Sequence, residues 1–273
     1  MTATAESIRL NLTPPVRYVL RLADTALIHA QRLGEWCGHG PVLEEDIALT
    51  NMALDLVGQA RALLNHAAQL ESKGRGEAFS EDQLAFLRDE GQFLNLTLVE
   101  QPMRRSSAHA PGGDFADTVL RNFLLATWFK HFWQRLAASS DADLAAIAGK
   151  ALKEARYHQQ HAGDWVVRLG DGTEESARRL HAALDRAWPY TNEMFVRDAV
   201  DTDAEAGGLG SARDALAADW QRDVAEIFVE ARLTLPAATP FVSTGTIGRH
   251  SEHMGFILAE MQSLQRAHPG GHW

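Results

Sequence analysis

Four long segments with helical spacing of apolar residues are the feature that most limits how this chain can fold. From Val16 to Gly34, apolar or small residues recur at steps of three and four, which predicts a helix with one buried face. The same steps connect Leu49 to Leu70, Val119 to Leu136, and Leu144 to Leu169. We therefore expect core helices at about residues 15–37, 43–72, 115–139 and 141–170.

The rest of the sequence predicts shorter elements around these four helices. A loose arm, residues 1–13, precedes Pro14-Pro15, where proline suits the first helical turn. A long crossover at 102–114 separates the two helix pairs, an order that ferritin-like bundles use. We predict an all-α, ferritin-like four-helix bundle with additional peripheral helices, in a single domain of residues 1–273. The expected peripheral helices are at about 80–99, 174–200, 211–233 and 248–267, with linkers at 201–210 and 236–245.

Composition excludes several classes of function. The formal net charge of −10 and the pI of about 5.6 leave no basic stripe for a nucleic acid. Cys37 is the only cysteine, so an intrachain disulfide is ruled out, and a reducing cytoplasmic location is predicted. No uncharged apolar run approaches the roughly 18 residues of a membrane span, so no membrane association is expected.

One segment resembles a metal motif with its histidine out of place. Di-iron bundles of this class take Glu-x-x-His from two helices, because a step of three points both side chains at the same metal pair. Here Tyr157 stands three residues after Glu154, and His158 is rotated by about a further 100°. No Asp or Glu in the chain is followed three residues later by His.

The supply of metal ligands also falls short helix by helix. The first helix offers Glu35, and the second offers Asp55, with Gly58 three residues later. The third helix has no Asp or Glu from residue 118 to 140, and Ala126 occupies its expected inward position. The fourth helix offers Glu154 and His158. We interpret Glu35, Asp55, Glu154 and His158 as a buried polar network without a metal; one bound metal ion and a residual catalytic pair are the alternatives.

Other motifs carry weaker hypotheses. Two His-x-x-His pairs, His158 with His161 and His250 with His253, could face a metal, but capping, core hydrogen bonds or contacts between protein chains are the preferred interpretation. Arg104-Arg105 could meet an anionic ligand, although a solvated loop is favoured. The aromatic residues of the third helix fall on more than one face, so not all of them can face the core of the bundle. We predict that those left exposed form an interface. The aromatic residues of this helix are Phe123, Trp128, Phe129, Phe132 and Trp133.

Several blocks together closely resemble one known family. They are residues 31–39 (QRLGEWCGH), 53–61 (ALDLVGQAR), 153–158 (KEARYH), 250–255 (HSEHMG) and 258–266 (LAEMQSLQR), with 88–90 (RDE), 98–102 (LVEQP) and Trp273. In these blocks, and over nearly the whole chain, the sequence resembles the C subunit of bacterial ring-1,2-phenylacetyl-CoA epoxidases.

That resemblance implies a multicomponent monooxygenase of phenylacetate breakdown. A homologous A subunit would carry the di-iron centre and bind the CoA thioester, and this chain would be its non-catalytic structural partner. A small B subunit and a reductase with flavin and an iron-sulfur cluster would complete the complex, with electrons from NADPH. We therefore expect no cofactor and no catalytic residue in this chain, and an obligate-type interface with the A subunit. A homodimer is considered for the isolated chain.

Two other functions remain open from sequence. One is a free-standing ferritin-like protein that binds one metal ion through Glu35, Asp55, Glu154 and His158. The other is a metal-free bundle that binds a ligand in a hydrophobic pocket between its helices.

Overall fold

A computed structural model describes residues 5–73, 78–103 and 114–271. Within these ranges the chain is helical, and its only extended pairing is an isolated bridge between Thr244 and Arg249. No helix of the described residues is long and apolar enough to cross a lipid bilayer. The α-helices are α1 (Pro14–Gly34), α2 (Leu43–Ser72), α3 (Glu81–Phe86), α4 (Phe115–Leu136), α5 (Ala142–Gly170), α6 (Glu174–Ala187), α7 (Ala199–Ala206), α8 (Ala217–Glu230) and α9 (Glu252–Ala267).

Helices α1, α2, α4 and α5 form the predicted all-α, ferritin-like bundle, and their ends lie within three residues of the expected positions. Local chemistry sets these ends. Pro14 and Pro15 open α1, where a missing N–H costs nothing. The Asp46 carboxylate in the first turn of α2 accepts a hydrogen bond from the Gly40 N–H at 2.9 Å. Asp141 caps α5 by accepting from the Leu144 N–H at 2.9 Å.

Large side chains join α1 to α4 and so close the bundle. The rings of Tyr18 and Phe132 lie 5.9 Å apart near one end. Near the other end, the Trp36 indole N–H donates to the Thr118 hydroxyl at 2.8 Å. Most side chains of α1 and α4 are buried, including polar ones, so these two helices form the centre of the molecule.

The aromatic residues of α4 are buried within this chain. Phe123, Trp128, Phe129, Phe132 and Trp133 are each at most 3% exposed. The α4 backbone and side chains also bond the surrounding elements: the Trp128 N–H donates to the Met194 carbonyl at 3.1 Å, and the Trp220 N–H of α8 donates to the Leu124 carbonyl at 2.9 Å. The prediction that part of this aromatic set forms an interface is therefore wrong.

The prediction of one helix at residues 80–99 is wrong for most of that range. Helix α3 ends at Phe86, and two short 3₁₀ turns, Glu90–Gln92 and Thr97–Glu100, follow. The segment gives its backbone donors to side chains elsewhere instead of to a helix. The Leu94 N–H donates to Asp24 at 2.9 Å, and the Leu96 N–H donates to Thr25 at 3.1 Å. Buried polar groups on α1 therefore override the helical propensity of this apolar run.

The helix expected at 174–200 is also interrupted. Helix α6 ends at Ala187, and Trp188–Phe195 forms a 3₁₀ helix that contains Pro189, which lacks an N–H donor. This turn buries Glu193, whose carboxylate accepts from the Thr97 N–H, the Ser243 hydroxyl and the Thr246 N–H at 2.7–2.9 Å. Part of the linker expected at 201–210 is helix α7, which starts at the Asp198 cap.

The last two peripheral helices are shorter than expected. The segment 211–233 contains a 3₁₀ turn, Arg213–Leu216, and then α8, and the segment 248–267 contains α9 from Glu252.

Residues 5–13 form no helix, but hydrogen bonds hold them in place. The Ala5 N–H donates to the Arg266 carbonyl at 3.0 Å, and the Ile8 N–H donates to the Leu87 carbonyl at 2.9 Å. The Arg104-Arg105 pair and Trp273 lie outside the described residues.

Buried ion pairs attach the peripheral segments to α1. Arg88, which follows α3, forms a bidentate pair with Asp24 in which both side chains are fully buried. Arg21 forms a corresponding pair with Asp198 at the start of α7. Such pairs are costly to break, because removal of one partner leaves a buried charge without compensation.

Glu100 and His250 form a third buried contact that attaches α9. The His250 Nδ1 lies 2.7 Å from the Glu100 carboxylate, and its Nε2 lies 2.9 Å from the Phe93 carbonyl. Both neighbours are acceptors, so both ring nitrogens must carry protons, which describes an imidazolium. Burial lowers the pKa of His250, but the hydrogen bond to Glu100 and its negative charge outweigh burial and raise the pKa above 6.5.

We expect this pair to lose strength at alkaline pH. Because the pKa of His250 is raised in the folded state, the charged pair contributes its full stability below pH 6.5. That contribution disappears as the pH rises through the folded-state pKa of His250. Thermal unfolding of wild type and His250→Gln across pH 6 to 9 measures the effect. The wild type should lose more stability than the variant over this range, and parallel curves would contradict the assignment of an imidazolium.

Candidate metal centre

A row of polar contacts runs between α2 and α5, and we call it the α2–α5 seam. From one end of the bundle to the other, each contact joins a residue of α2 to α5 or its cap. The pairs are Glu45 with His161 at 3.0 Å, Asp55 with His158 at 3.1 Å, Gln59 with Glu154 at 2.9 Å, and His66 with Asp141 at 3.1 Å. Three of the four predicted ligand residues, Asp55, Glu154 and His158, lie in the seam. Of these, Asp55 and His158 are in direct contact.

Asp55 and His158 form a hydrogen-bonded pair at the middle of the seam. The His158 Nε2 lies 3.1 Å from the Asp55 Oδ2. The imidazole is buried, whereas the Asp55 side chain is 40% exposed. Burial lowers the pKa of His158, and the hydrogen bond to Asp55 offsets only part of that effect. The pair is therefore a neutral imidazole beside a solvated carboxylate at neutral pH.

Glu154 lies one turn from this pair and has partners of its own. The Gln59 amide donates to its carboxylate at 2.9 Å, and the Lys150 ammonium approaches it at 3.6 Å. Its charge acts on His158 without a direct contact. Tyr157, which stands three residues after Glu154, is more than half exposed, and its ring lies near the rings of His158 and His161.

Glu35 does not join the predicted network. It caps the C-terminal end of α1, and its carboxylate lies 2.5 Å from the guanidinium of Arg32, three residues earlier. Arg32 in turn donates to the Glu100 carbonyl, which holds the pair at the end of α1. A helical step of three favours such a pair over a contact across the bundle. The set of Glu35, Asp55, Glu154 and His158 is therefore not one cluster.

Three residues that the sequence analysis missed lie between α1, α2 and α4. The His29 Nε2 is 3.2 Å from the Asn122 Oδ1, and the Asn122 amide N–H donates to the Met52 sulfur at 3.2 Å. All three side chains are buried. His29 also interacts electrostatically with His158 of α5, so all four helices contribute to this region. We call His29, Met52, Asn122 and His158 the bundle centre.

The inward positions of the bundle explain why no motif appears in the sequence. His158 is buried on the inner face of α5, and the residue three before it on that face is the buried Ala155. On α2, Met52 stands three residues before Asp55. On α5 a carboxylate is therefore absent where a Glu-x-x-His motif would begin, and on α2 Asp55 has no histidine three residues later. Gly58 is exposed and offers no side chain.

Electrostatics at the bundle centre oppose a cation. Burial, and then the nearby positive charge of Arg121, lower the pKa of His29 to about 3, so this imidazole stays neutral. Arg121 is itself buried, and its pKa falls to about 10 because of burial and the charge of Arg32. A guanidinium fixed beside the centre would repel metal ions in a medium that screens charge poorly.

The residues present do not fit a di-iron pair. Two ferrous ions carry four positive charges, which a low-dielectric core must balance with carboxylates that also bridge the metals. The bundle centre and its neighbour Asp55 supply one carboxylate, two imidazoles, one amide and one thioether. This donor set suits a hydrogen-bonded core.

The two His-x-x-His pairs do not converge on a common point. His158 and His161 each face a different carboxylate of α2, Asp55 and Glu45. His250 is buried against Glu100, whereas the His253 ring lies 3.9 Å from the exposed Glu252. His250 makes core hydrogen bonds, which is one of the three roles that the sequence analysis preferred to metal binding for these pairs.

The neutral state of His29 predicts a loss of stability in acid. Between pH 6.5 and about 3 the unfolded chain binds a proton at His29 that the folded chain does not, so stability falls as the pH is lowered. Between about pH 7 and pH 5 this residue should account for about 2 kcal/mol. Denaturant unfolding of wild type and His29→Asn at both pH values checks this. Equal losses in the two proteins would contradict it.

Comparison with known proteins identifies the family of this chain. A family model described as phenylacetic acid catabolic protein matches residues 1–273. The C subunit of the 1,2-phenylacetyl-CoA epoxidase of Escherichia coli (strain K12) is 44% identical over 256 residues, which cover 94% of this chain and 98% of that protein. The resemblance identified from sequence is confirmed. This chain therefore belongs to the phenylacetic acid catabolic protein family.

Proposed function

We propose that this chain, as a single domain, is the non-catalytic structural subunit of a multicomponent oxygenase that epoxidises the ring of phenylacetyl-CoA. The Escherichia coli relative carries the name of a 1,2-phenylacetyl-CoA epoxidase component. In this proposal the di-iron centre belongs to a homologous A subunit, and flavin and iron-sulfur groups belong to a reductase. A B subunit completes the complex, and the whole acts in the cytoplasm.

The observation that carries this proposal is the composition of the bundle centre. A catalytic di-iron subunit needs carboxylates on four helices, and here Met52, Asn122 and Ala155 stand on the inner faces of three of them. The rest of the bundle is intact, because buried apolar residues fill it from end to end. A bundle that keeps its shape without a reactive centre is suited to support a homologous bundle.

The outer face of α2 is the surface we assign to the A subunit. Leu43, Ile47, Leu54 and Val57 are exposed and lie within one sector of the helix, and Tyr157 of α5, next to His158 of the seam, is exposed as well. We call these five residues the α2 stripe. Leu43 is 72% exposed and Leu54 is 63% exposed. The opposite side of α2 packs against α1, so the stripe contributes nothing to the core of this chain.

The position of the stripe favours a homologous bundle as the occupant. The stripe runs along a helix of 30 residues and borders the seam, which is held by polar contacts. A partner that lies along α2 would cover apolar surface and would also remove water from the half-exposed Asp55. Several exposed large apolar side chains along one side of a helix are typical of interfaces in soluble proteins.

The bundle should not assemble a di-iron centre. The isolated chain is loaded anaerobically with ferrous iron, exposed to oxygen and then partly reduced. We expect no mixed-valence di-iron signal from it in electron paramagnetic resonance. The purified A subunit, treated identically, is the positive control. A mixed-valence signal that integrates to a large fraction of this chain would contradict a non-catalytic role.

The α2 stripe should be required for assembly. We expect Leu54→Asp to weaken binding of the A subunit by at least about tenfold, because the substitution removes apolar burial and places a charge in the contact. The matched control is Val229→Asp on α8, where a 77% exposed apolar residue lies outside the stripe. Affinity by biolayer interferometry, with circular dichroism to verify folding, decides. Unchanged affinity in Leu54→Asp, or an equal loss in both variants, would contradict this assignment.

A further inference from the structure

The geometry points to a divalent transition-metal site, of the zinc class, formed by His66 of α2 with Asp141 and Asp143 at the start of α5. One ligand atom from each residue lies within 4.8 Å of the other two. The site is at the opposite end of the seam from Glu45 and His161, and it shares no residue with the bundle centre. It is independent of the proposed function.

His66 is the residue that indicates a ligand here. Its side chain is 93% buried, yet neither ring nitrogen makes a hydrogen bond within the described part of the chain. The Nε2 lies 3.1 Å from the Asp141 Oδ2, but the contact is too bent for a hydrogen bond. A buried imidazole without hydrogen bonds is costly, since it has lost water and gained no partner. A metal ion between the two side chains would satisfy the Nε2 lone pair.

The spacing of the donor atoms already suits such an ion. Nitrogen and oxygen ligands about 2.0–2.1 Å from a tetrahedral zinc ion lie about 3.3 Å from each other. The His66–Asp141 separation of 3.1 Å is close to that value. Asp143 is exposed, so its carboxylate can close the remaining distance by side-chain rotation.

The chemistry of the three donors defines the ligand class. One imidazole and two carboxylates suit Zn²⁺ and its neighbours among the divalent transition metals better than Mg²⁺ or Ca²⁺, which prefer oxygen alone. Asp141 uses its Oδ1 to cap α5, which leaves Oδ2 for the metal and orients the carboxylate. The exposed side of the site leaves a coordination position for water.

The electrostatics set a limit on affinity. The positive end of the α5 dipole lies at Asp141 and opposes a cation. The two carboxylates must offset this field and the charge of the ion, so both are needed for binding. A bound ion would join α2 to α5 at the point where His66 and Asp141 lie close together but form no hydrogen bond.

Calorimetric titration of the full chain, without an affinity tag, with Zn²⁺ tests the site. We expect the wild type to bind one Zn²⁺ that Asp143→Asn and His66→Gln each bind at least tenfold more weakly. Asp143 is exposed, so its variant should fold even if the His66 variant does not. The matched control is Asp164→Asn, an exposed carboxylate further along α5, which should bind as the wild type does.

Cobalt provides a second readout that a loss of stability would not produce. Co²⁺ in the wild type should give the intense visible absorption of four-coordinate cobalt, and Asp143→Asn should lack it. Absence of a one-to-one Zn²⁺ site in the wild type, or equal affinity in Asp143→Asn and the wild type, would overturn the proposal.

Discussion

Charge buried between helices must be paired or hydrogen-bonded inside the chain, and this constraint governs the structure. Asp24 meets Arg88, and Glu100 meets the imidazolium of His250. Glu193 has no cation in contact among the described residues but accepts three hydrogen bonds. The first contact attaches the segment after α3 to α1. The second attaches the start of α9 to Glu100, and the third attaches the segment after α6 to Thr97 and to residues 243–246. At the bundle centre the same constraint is met in another way, because His29, Asn122 and Met52 are neutral.

The neutral centre explains how the bundle keeps its shape without metal. Two ferrous ions would require several inward carboxylates, and without the ions those carboxylates would repel each other in a low-dielectric core. Amide, thioether and methyl groups at these positions carry no charge, so this repulsion is absent, and α1 and α4 pack through His29–Asn122, Tyr18–Phe132 and Trp36–Thr118. An uncharged centre is therefore compatible with a rigid bundle.

The sequence predicted the four long helices well because each has a sustained period and recognisable ends. It failed at 80–99, where the apolar run resembled a helix but Leu94 and Leu96 donate to side chains of α1. Nothing in the local sequence reports such distant acceptors. The interruption at Pro189 had a local signal, because proline lacks an N–H donor. The spacing of the surrounding apolar residues nevertheless favoured one continuous helix.

The candidate site was predicted only in part, for a related reason. Asp55 and His158 were correctly placed on facing helices, but Glu35 was assigned inward although Arg32 lies one turn before it. His29 and Asn122 were missed because α1 and α4 are buried on nearly every side, so periodicity no longer identifies an inner face. The shortage of carboxylates was visible in the sequence, since it depends on residue types and not on contacts.

Anomalous scattering at the iron edge, from crystals of this chain co-purified with the proposed A subunit, tests the central claim most directly. The measurement locates iron in each subunit separately and in the assembled state. We expect a pair of iron peaks within the A subunit and no pair between α1, α2, α4 and α5 of this chain. A pair of iron peaks beside His29 and His158 would contradict it.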